Sequence, residues 1–299
     1  MAKNIDIIAG GVSDELFRLG LANDRNMLSA SALVHAHNHY LVEQVHEDFL
    51  KAGATLLVTS NYCVTPGLGF TVEEIREYTR LAGRLAAEAR ERNSAESSAK
   101  VCGSLPPLMP SFRSDRTIER QRGLDTYLLI GEALWPFVDM YLAETMSSLA
   151  EAKLAYEGVE TLQKPVMISF ALNSTGQLRS GESVVGAIQK LLAFCDERPE
   201  DIAKALRHIC SNKELCAELK DKGIKLGGYG DRVSSISTAG VLEEKLVSGA
   251  MHSVLDMEIF ASFALRWLED GADIVGGCCG VPPSYLERIN ERIVEMQTP

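Results

Sequence analysis

The sequence of 299 residues lacks the features that mark several large classes of protein. No apolar run reaches the roughly 18 residues that a membrane-spanning helix needs. The first residues contain neither a long apolar stretch nor a cleavage-site pattern, so no secretion signal is predicted. Basic residues are outnumbered by acidic ones, 30 to 41, which disfavours binding to the phosphates of nucleic acids. These absences predict a cytoplasmic protein that binds neither a membrane nor a nucleic acid.

The sequence also lacks a disulfide scaffold, because its seven cysteines are scattered and do not reach the density of one. An odd number in a reducing compartment favours free or metal-bound thiols. Cys278 and Cys279 are adjacent in GADIVGGCCG, residues 271–280. Neighbouring Cα atoms lie ~3.8 Å apart, which is less than the ~4.4–6.8 Å that disulfides usually span. A disulfide is therefore disfavoured, while a metal site, a nucleophile and small buried filler stay open.

Short apolar runs recur along the chain and alternate with amphipathic helical patterns. Near-continuous apolar runs are typical of strands that are buried on both faces of a parallel sheet. The alternation predicts a single (β/α)₈ TIM-type barrel that forms one domain over residues 1–299. A doubly wound open sheet is the alternative, but no G-x-G-x-x-G follows the first run. The predicted strands are residues 5–11, 55–61, 101–105, 138–145, 165–172, 191–195, 224–230 and 272–277.

In such a barrel the chemistry lies at the carboxyl ends of the strands. Cys195 ends predicted strand six, and Cys278 and Cys279 follow predicted strand eight. These strand ends are close around the mouth, with strand seven between them. Three sulfur ligands and one open position describe a catalytic zinc site. The sequence therefore favours a zinc site at the mouth.

Several segments resemble one family over nearly the whole chain. GADIVGGCCGVPPSYLERI is similar to the C-terminal signature of the homocysteine S-methyltransferase family, and FCDERPEDI resembles its middle zinc cysteine and the proline-led helix that follows. AGGVSDEL, VHEDFLKAGATLLVTSNY, VCGSLPPLMPSFRSD and LAETMSSLAEAKLA occur in the family order. The resemblance implies a zinc-dependent barrel that transfers a methyl group to the thiol of homocysteine and so produces methionine.

The resemblance also implies roles for individual residues. Independently of the resemblance, Ser60 and Tyr229 are expected to contact the substrate, because they lie at the ends of predicted strands. The resemblance itself implies Cys195, Cys278 and Cys279 as the ligands of Zn²⁺, Glu144 as the acid that helps to hold the amino acid substrate, and Gly10 and Gly11 as the loop whose backbone approaches it.

Two positions depart from the family pattern. Ala9 stands where many members have an acidic residue, and Phe194 stands where an asparagine usually precedes the zinc cysteine. These departures predict weaker binding of homocysteine, or a preference for another thiol or a selenol.

The methyl donor and the reaction class also leave alternatives. A lone barrel without a folate or cobalamin module favours a sulfonium donor, S-methylmethionine or S-adenosylmethionine. A non-catalytic zinc-binding barrel and a thiol redox protein using Cys278 and Cys279 are the alternative functions. The expected partners are small molecules. The sequence does not indicate whether the protein is a monomer or an oligomer.

Overall fold

A computed structural model describes residues 5–93, 98–195, 204–205, 219, 221–230 and 256–298. Eight parallel strands form a closed barrel in the order of the sequence, and β1 pairs with β8 to close it. The predicted (β/α)₈ barrel is confirmed. The strands are β1 (Asp6–Ile8), β2 (Leu56–Val58), β3 (Lys100–Leu105), β4 (Met140–Met146), β5 (Val166–Phe170), β6 (Lys204–Ala205), β7 (Leu226–Gly230) and β8 (Ile274–Gly277).

Helices follow the strands and cover the outside of the barrel. They are α1 (Val12–Arg18), α2 (Ser31–Val34), α3 (His39–Lys51), α4 (Val72–Arg92), α5 (Arg120–Leu134), α6 (Leu149–Val159), α7 (Val184–Cys195), α8 (Met257–Glu269) and α9 (Pro283–Gln297). The start of α4 shows how the sequence fixes these elements, because Thr71 and Glu74 form a reciprocal capping box. In the described part of the chain, no helix has the length and apolar character needed to span a bilayer.

The sixth strand is the one element that the sequence analysis misplaced. Residues 191–195 are the last turns of α7 and not a strand, so the prediction of a strand there is wrong. The apolar positions Val184, Ile188 and Leu191 recur at helical spacing and are buried. This helical spacing extends over a longer segment than the apolar run at residues 191–195, and the longer pattern determines the secondary structure. The sixth strand is Lys204–Ala205, which pairs with β5 and β7.

The barrel interior is filled by apolar side chains, so a reactive site is expected at the mouth and not inside the barrel. Ile8, Leu56, Leu142, Met167 and Ile274 form a buried cluster inside the strands. A larger cluster lies between the strands and the surrounding helices. Packing on both faces of each strand accounts for the near-continuous apolar runs.

His46 is a buried histidine in the layer between α3 and the barrel. Its side chain is 0% exposed, and neither ring nitrogen has a hydrogen-bond partner among the described residues. Burial disfavours the charged ring and lowers the pKa of His46 to about 4. The folded protein therefore binds fewer protons at this residue than the unfolded chain does between about pH 6.5 and pH 4.

We expect His46 to make the protein lose stability as the pH falls from 6.5 towards 4. The contribution is about 2–3 kcal/mol at pH 4.5, because each pKa unit is worth ~1.4 kcal/mol. Denaturant unfolding of the wild-type protein and of His46→Leu at pH 7.5 and pH 4.5 measures it. The difference in unfolding free energy between the two proteins should shift in favour of the variant at pH 4.5. An unchanged difference would refute the assignment.

Candidate active site at the barrel mouth

The carboxyl ends of the strands surround a cavity of about 190 Å³. Loops after β1, β2 and β3 contribute most of its wall, and the ends of β4 and β8 complete it. Among the described residues that line the cavity, the charged side chains are Asp14 and Glu144, both acidic. The remaining wall is mostly apolar and includes Phe17, Leu68 and Met109. The cavity is therefore suited to a small molecule that carries positive charge as well as apolar groups.

Cys278 and Cys279 lie in the turn that follows β8, and both line this cavity. The Cys278 N–H donates to the Gly230 carbonyl oxygen at the end of β7, at 2.8 Å. Gly276 just before the turn has φ +157°, and a Cβ there would lie 2.2 Å from the Ile8 carbonyl oxygen. Glycine is therefore required at position 276 because the chain passes too close to β1 for any side chain.

The two thiols have the separation that a shared metal ion requires. Neither cysteine is part of a disulfide, both are partly exposed, and their Sγ atoms are 3.8 Å apart. Two sulfurs that are each ~2.3 Å from one zinc ion at a tetrahedral angle lie about 3.8 Å from each other. Cys278 and Cys279 therefore fit two positions of a tetrahedral zinc site. A group of three or more metal-binding side chains does not occur within the described ranges.

Glu144 projects into the cavity from a bulge at the end of β4. The pairing of β4 with β5 shifts register between Ala143 and Met146, and Thr145 has φ +60°. A non-glycine residue rarely adopts this left-handed conformation. The bulge presents the Glu144 carboxylate to the cavity at a strand end.

A chain of hydrogen bonds holds Glu144 in place. Ser104 at the end of β3 donates from its hydroxyl to the Glu144 carboxylate. The Ser104 N–H donates to Thr59 Oγ1 at 2.9 Å, and Asn61 Nδ2 donates to the Ser104 carbonyl oxygen at 3.0 Å. Burial raises the pKa of Glu144 to about 7, and the Ser104 bond acts in the opposite direction. The carboxylate is thus placed by three neighbouring strand ends.

Ser60 and Tyr229, the two residues predicted from strand ends, both line the cavity. Ser60 is buried, and its Oγ has no hydrogen-bond partner within the part of the chain that is described. The Tyr229 hydroxyl is hydrogen-bonded to Ser169 Oγ on β5. A buried hydroxyl without a partner is costly unless a ligand or water satisfies it, so Ser60 is the better placed of the two to contact a bound molecule.

Gly10 and Gly11 line the cavity and also pack against the double-cysteine turn. A Cβ at Gly10 would lie 2.1 Å from the Val281 carbonyl oxygen. A Cβ at Gly11 would lie 2.8 Å from the Cys278 carbonyl oxygen. The two glycines therefore let the end of β1 approach the turn that carries the thiols.

Cys195 and Phe194 lie elsewhere in the fold from where the sequence analysis expected them. Both end α7, and the Phe194 ring contacts Tyr156 at a centroid distance of 6.3 Å on α6. Helices run antiparallel to the strands in this fold, so the carboxyl end of a helix faces away from the mouth. The expectation that Phe194 stands beside the site is wrong. The Cys195 side chain lies outside the described residues, and its role as a ligand stays a prediction.

Three polar residues of the mouth were not predicted from the sequence. Ser104 ends a predicted strand but was not assigned a role, and Asp14 in α1 was not singled out. The Tyr62 hydroxyl bonds Ser111 Oγ at 2.6 Å, and burial raises the pKa of Tyr62 well above its usual value. Position at or just after a strand end is a sequence signal for Ser104 and Tyr62, whereas Asp14 lies in a helix and carries no such signal.

The family model for homocysteine S-methyltransferase matches residues 6–293 of the chain. The chain belongs to the homocysteine S-methyltransferase family. Its members are methyltransferases, and this protein is therefore an enzyme of that class.

Individual members of the family are distant relatives. "Homocysteine S-methyltransferase 1" of Zea mays is 26% identical over 95% of this chain and 93% of its own length. "Selenocysteine methyltransferase" of Astragalus bisulcatus is 25% identical over 98% of this chain and 94% of its own length. The metallated form of the homocysteine methyltransferase MmuM from Escherichia coli has a TM-score of 0.73 at 21% identity, with 97% and 96% of the two chains covered. This likeness supports the barrel fold.

Proposed function

We propose that this family member is a zinc-dependent methyltransferase that moves a methyl group from a sulfonium donor to the thiol of homocysteine and produces methionine. The observation that carries the proposal is the pair of thiols, 3.8 Å apart, beside a cavity whose charged described residues are acidic. Cys278 and Cys279 would hold the metal ion at the edge of the cavity. The whole chain would act as one barrel domain around this site.

The chemistry explains why such a site needs a metal and an acid. A free thiol has a pKa near ~8.5 and is mostly protonated at neutral pH, whereas zinc coordination favours the thiolate, the form that attacks carbon. In the reaction the acceptor sulfur forms a bond to the methyl carbon, the bond from that carbon to the donor sulfur breaks, and the donor leaves as a neutral thioether. The thiol proton passes to solvent.

The residues of this chain would bind and orient the two substrates. Glu144 would pair with the ammonium group of the acceptor, and the Ser104 hydroxyl would keep its carboxylate in position. Ser60 would hydrogen-bond a polar group of a substrate. Gly10 and Gly11 would let a substrate approach the backbone beside the thiols. Alignment of sulfur, methyl group and leaving group can account for much of the rate.

A third thiolate would complete the metal site, and two cysteines are candidates. The family resemblance implies Cys195, but α7 ends there and the argument from a strand end no longer supports it. Cys210 lies outside the described residues and follows Ala205, the last residue of β6, by five positions in the sequence. Chains in this fold run from β6 towards the mouth, so Cys210 belongs in the same experiment as Cys195.

A second acceptor is supported by a relative of almost equal similarity. The relative named selenocysteine methyltransferase is 25% identical to this chain, compared with 26% for the relative named homocysteine S-methyltransferase 1. Ala9 lines the cavity without the acidic group that many family members have there. A selenol or a different thiol is therefore the alternative acceptor.

A methyl-transfer panel tests the proposal. Zinc-loaded protein is incubated with S-methylmethionine or S-adenosylmethionine and with homocysteine or selenocysteine, and the products are measured by mass spectrometry. We expect methionine from homocysteine with at least one donor. Product from selenocysteine but not from homocysteine would show that the acceptor is a selenol and not the thiol of homocysteine. No product in any of the four reactions, with folded and zinc-loaded protein, would favour a non-catalytic zinc-binding barrel.

A further inference from the structure

The first turn of α1 is attached to the double-cysteine turn by one side chain. Asp14 Oδ2 accepts a hydrogen bond from the Gly280 N–H at 2.7 Å. Gly280 directly follows Cys279, and Asp14 is separated from it by 266 positions in the sequence. The bond therefore links the beginning of the chain to the thiols near its end, at the point where the barrel closes.

Gly11 packs into the same contact. A Cβ at position 11 would lie 2.8 Å from Asp14 Oδ2, 2.8 Å from the Cys278 carbonyl oxygen and 3.3 Å from the Cys279 Cα. The backbone of Gly11 has φ −71°, which any residue can adopt. Glycine at this position is therefore explained by the lack of space between Asp14 and the cysteine turn, and not by backbone conformation.

Backbone hydrogen bonds also restrain the cysteine turn, and one of them runs from the Gly11 N–H to the Val281 carbonyl oxygen at 3.3 Å. The Cys278 N–H bonds Gly230, and the Val281 N–H bonds the Cys278 carbonyl oxygen at 3.2 Å. The Gly280 N–H lies between these bonds, and the Asp14 carboxylate satisfies it. A hydrogen bond from a backbone amide to a carboxylate is shorter and stronger than one between neutral groups. It restricts the backbone that sets the directions of the two neighbouring thiols.

We propose that Asp14 is a positioning residue for the metal site, which fixes the turn of Cys278 and Cys279 so that both thiols face one ion. The proposal rests on the zinc-binding role of these cysteines under the proposed function. The side-chain oxygen of residue 14 is what the turn requires, because it accepts the Gly280 N–H. A negative charge beside two thiolates brings no electrostatic benefit, so the amide oxygen of asparagine should replace the carboxylate.

Three variants and one matched control test the proposal. Asp14→Ala removes the acceptor, Asp14→Asn keeps an oxygen at the same place, and Gly11→Ala displaces Asp14 and the turn without changing either. Asp256→Ala is the control, because Asp256 also accepts a backbone N–H, that of Ile259 at 2.9 Å, at the start of α8. The readouts are the zinc dissociation constant from competition with a chromophoric chelator, the alkylation rates of Cys278 and Cys279 in metal-free protein, and the unfolding midpoint.

We expect Asp14→Ala and Gly11→Ala to bind zinc ~10–100-fold more weakly, the range known for residues that orient metal ligands. Asp14→Asn should bind zinc within about threefold of the wild-type protein if its amide oxygen replaces the carboxylate, and Asp256→Ala should lose stability while keeping its zinc affinity. Unchanged zinc affinity in Asp14→Ala would overturn the proposal, as would an equal loss in Asp256→Ala or a loss in Asp14→Asn as large as in Asp14→Ala.

The same measurements separate this proposal from the proposed function. If the wild-type protein does not bind zinc, the proposed function fails. The role of Asp14 is then tested by alkylation of metal-free protein, in which the intact turn should keep the Cys278 and Cys279 thiols similarly exposed. Asp14→Ala and Gly11→Ala should change the ratio of the two alkylation rates at least threefold, and Asp256→Ala should leave it unchanged. Equal ratios in all variants would overturn the role of Asp14 in the turn.

Discussion

Cys278→Ser and Cys279→Ser should each weaken zinc binding more than ~100-fold and abolish measurable methyl transfer. Residues that only orient a metal ligand already cost ~10–100-fold in metal affinity when they are replaced, and removal of a ligand should cost more. The two Sγ atoms lie 3.8 Å apart at the edge of the cavity, so each variant removes one of the paired donors. Metal analysis and chelator competition on the purified variants measure the effect.

Cys102→Ala is the control for loss of a thiol. Cys102 is fully buried inside the barrel and does not line the mouth cavity. This variant should lose stability but retain zinc and activity. Full retention of zinc in both Cys278→Ser and Cys279→Ser would contradict the metal site.

The third ligand is identified in the same series. Cys195→Ser and Cys210→Ser remove the two candidate thiols one at a time. If Cys195 is the ligand that the family resemblance implies, Cys195→Ser should lose zinc and Cys210→Ser should retain it. If the third ligand is instead Cys210, the cysteine that follows β6, Cys210→Ser should lose zinc and Cys195→Ser should retain it. Retention of zinc in both variants would exclude Cys195 and Cys210 as the third ligand.

Glu144→Gln should leave zinc in place and lower kcat/KM for the acceptor by ~10–150-fold. A hydrogen bond between charged groups is worth ~1.5–3 kcal/mol, and ~1.4 kcal/mol corresponds to a tenfold change. Glutamine keeps the size of the side chain and removes the charge that would pair with the ammonium group. Loss of zinc with unchanged use of the acceptor would contradict the assigned role.

The pH dependence gives a second readout of the same residue. Burial raises the pKa of Glu144 to about 7, so the carboxyl is mostly protonated below that pH and ionised above it. The ratio of wild-type to Glu144→Gln kcat/KM should therefore rise with pH through about 7. Ser104→Ala removes the hydrogen bond that favours the ionised form, and this rise should move to higher pH. A ratio that does not depend on pH would argue against titration of Glu144.

The sequence predicted those parts of the site in which strand and site residue are adjacent along the chain. The run that became β8 is apolar, ends in two glycines and leads directly to Cys278 and Cys279. Glu144 likewise ends a clear apolar run. In both cases a position at or just after the end of a buried parallel strand indicated the mouth, because such positions meet at one end of the barrel.

The sixth strand could not be predicted in this way. Lys204–Ala205 is paired over two residues and has no apolar run of its own, so its strand conformation comes from β5 and β7 on either side. The run before it is amphipathic with a helical period and forms α7. Phe194 was misplaced for the same reason, since the period over the longer segment decides between helix and strand.

Contacts between distant segments were also beyond the sequence. Asp14 contacts Gly280 because β1 pairs with β8 to close the barrel, and Asn61 contacts Ser104 because β2 pairs with β3. No pattern within α1 indicates that its first turn holds the cysteine turn. Such contacts follow from the register of the strands, which a single sequence does not fix.

Zinc titration of methyl transfer tests the central claim most directly. Metal-free protein is given increasing equivalents of zinc, and transfer of a deuterated methyl group from a sulfonium donor to homocysteine is measured in a single turnover. We expect no transfer without zinc, a linear rise in transfer with added zinc, and saturation at one zinc ion per chain. Equal transfer by metal-free protein, or no transfer at any zinc level by folded protein, would contradict it.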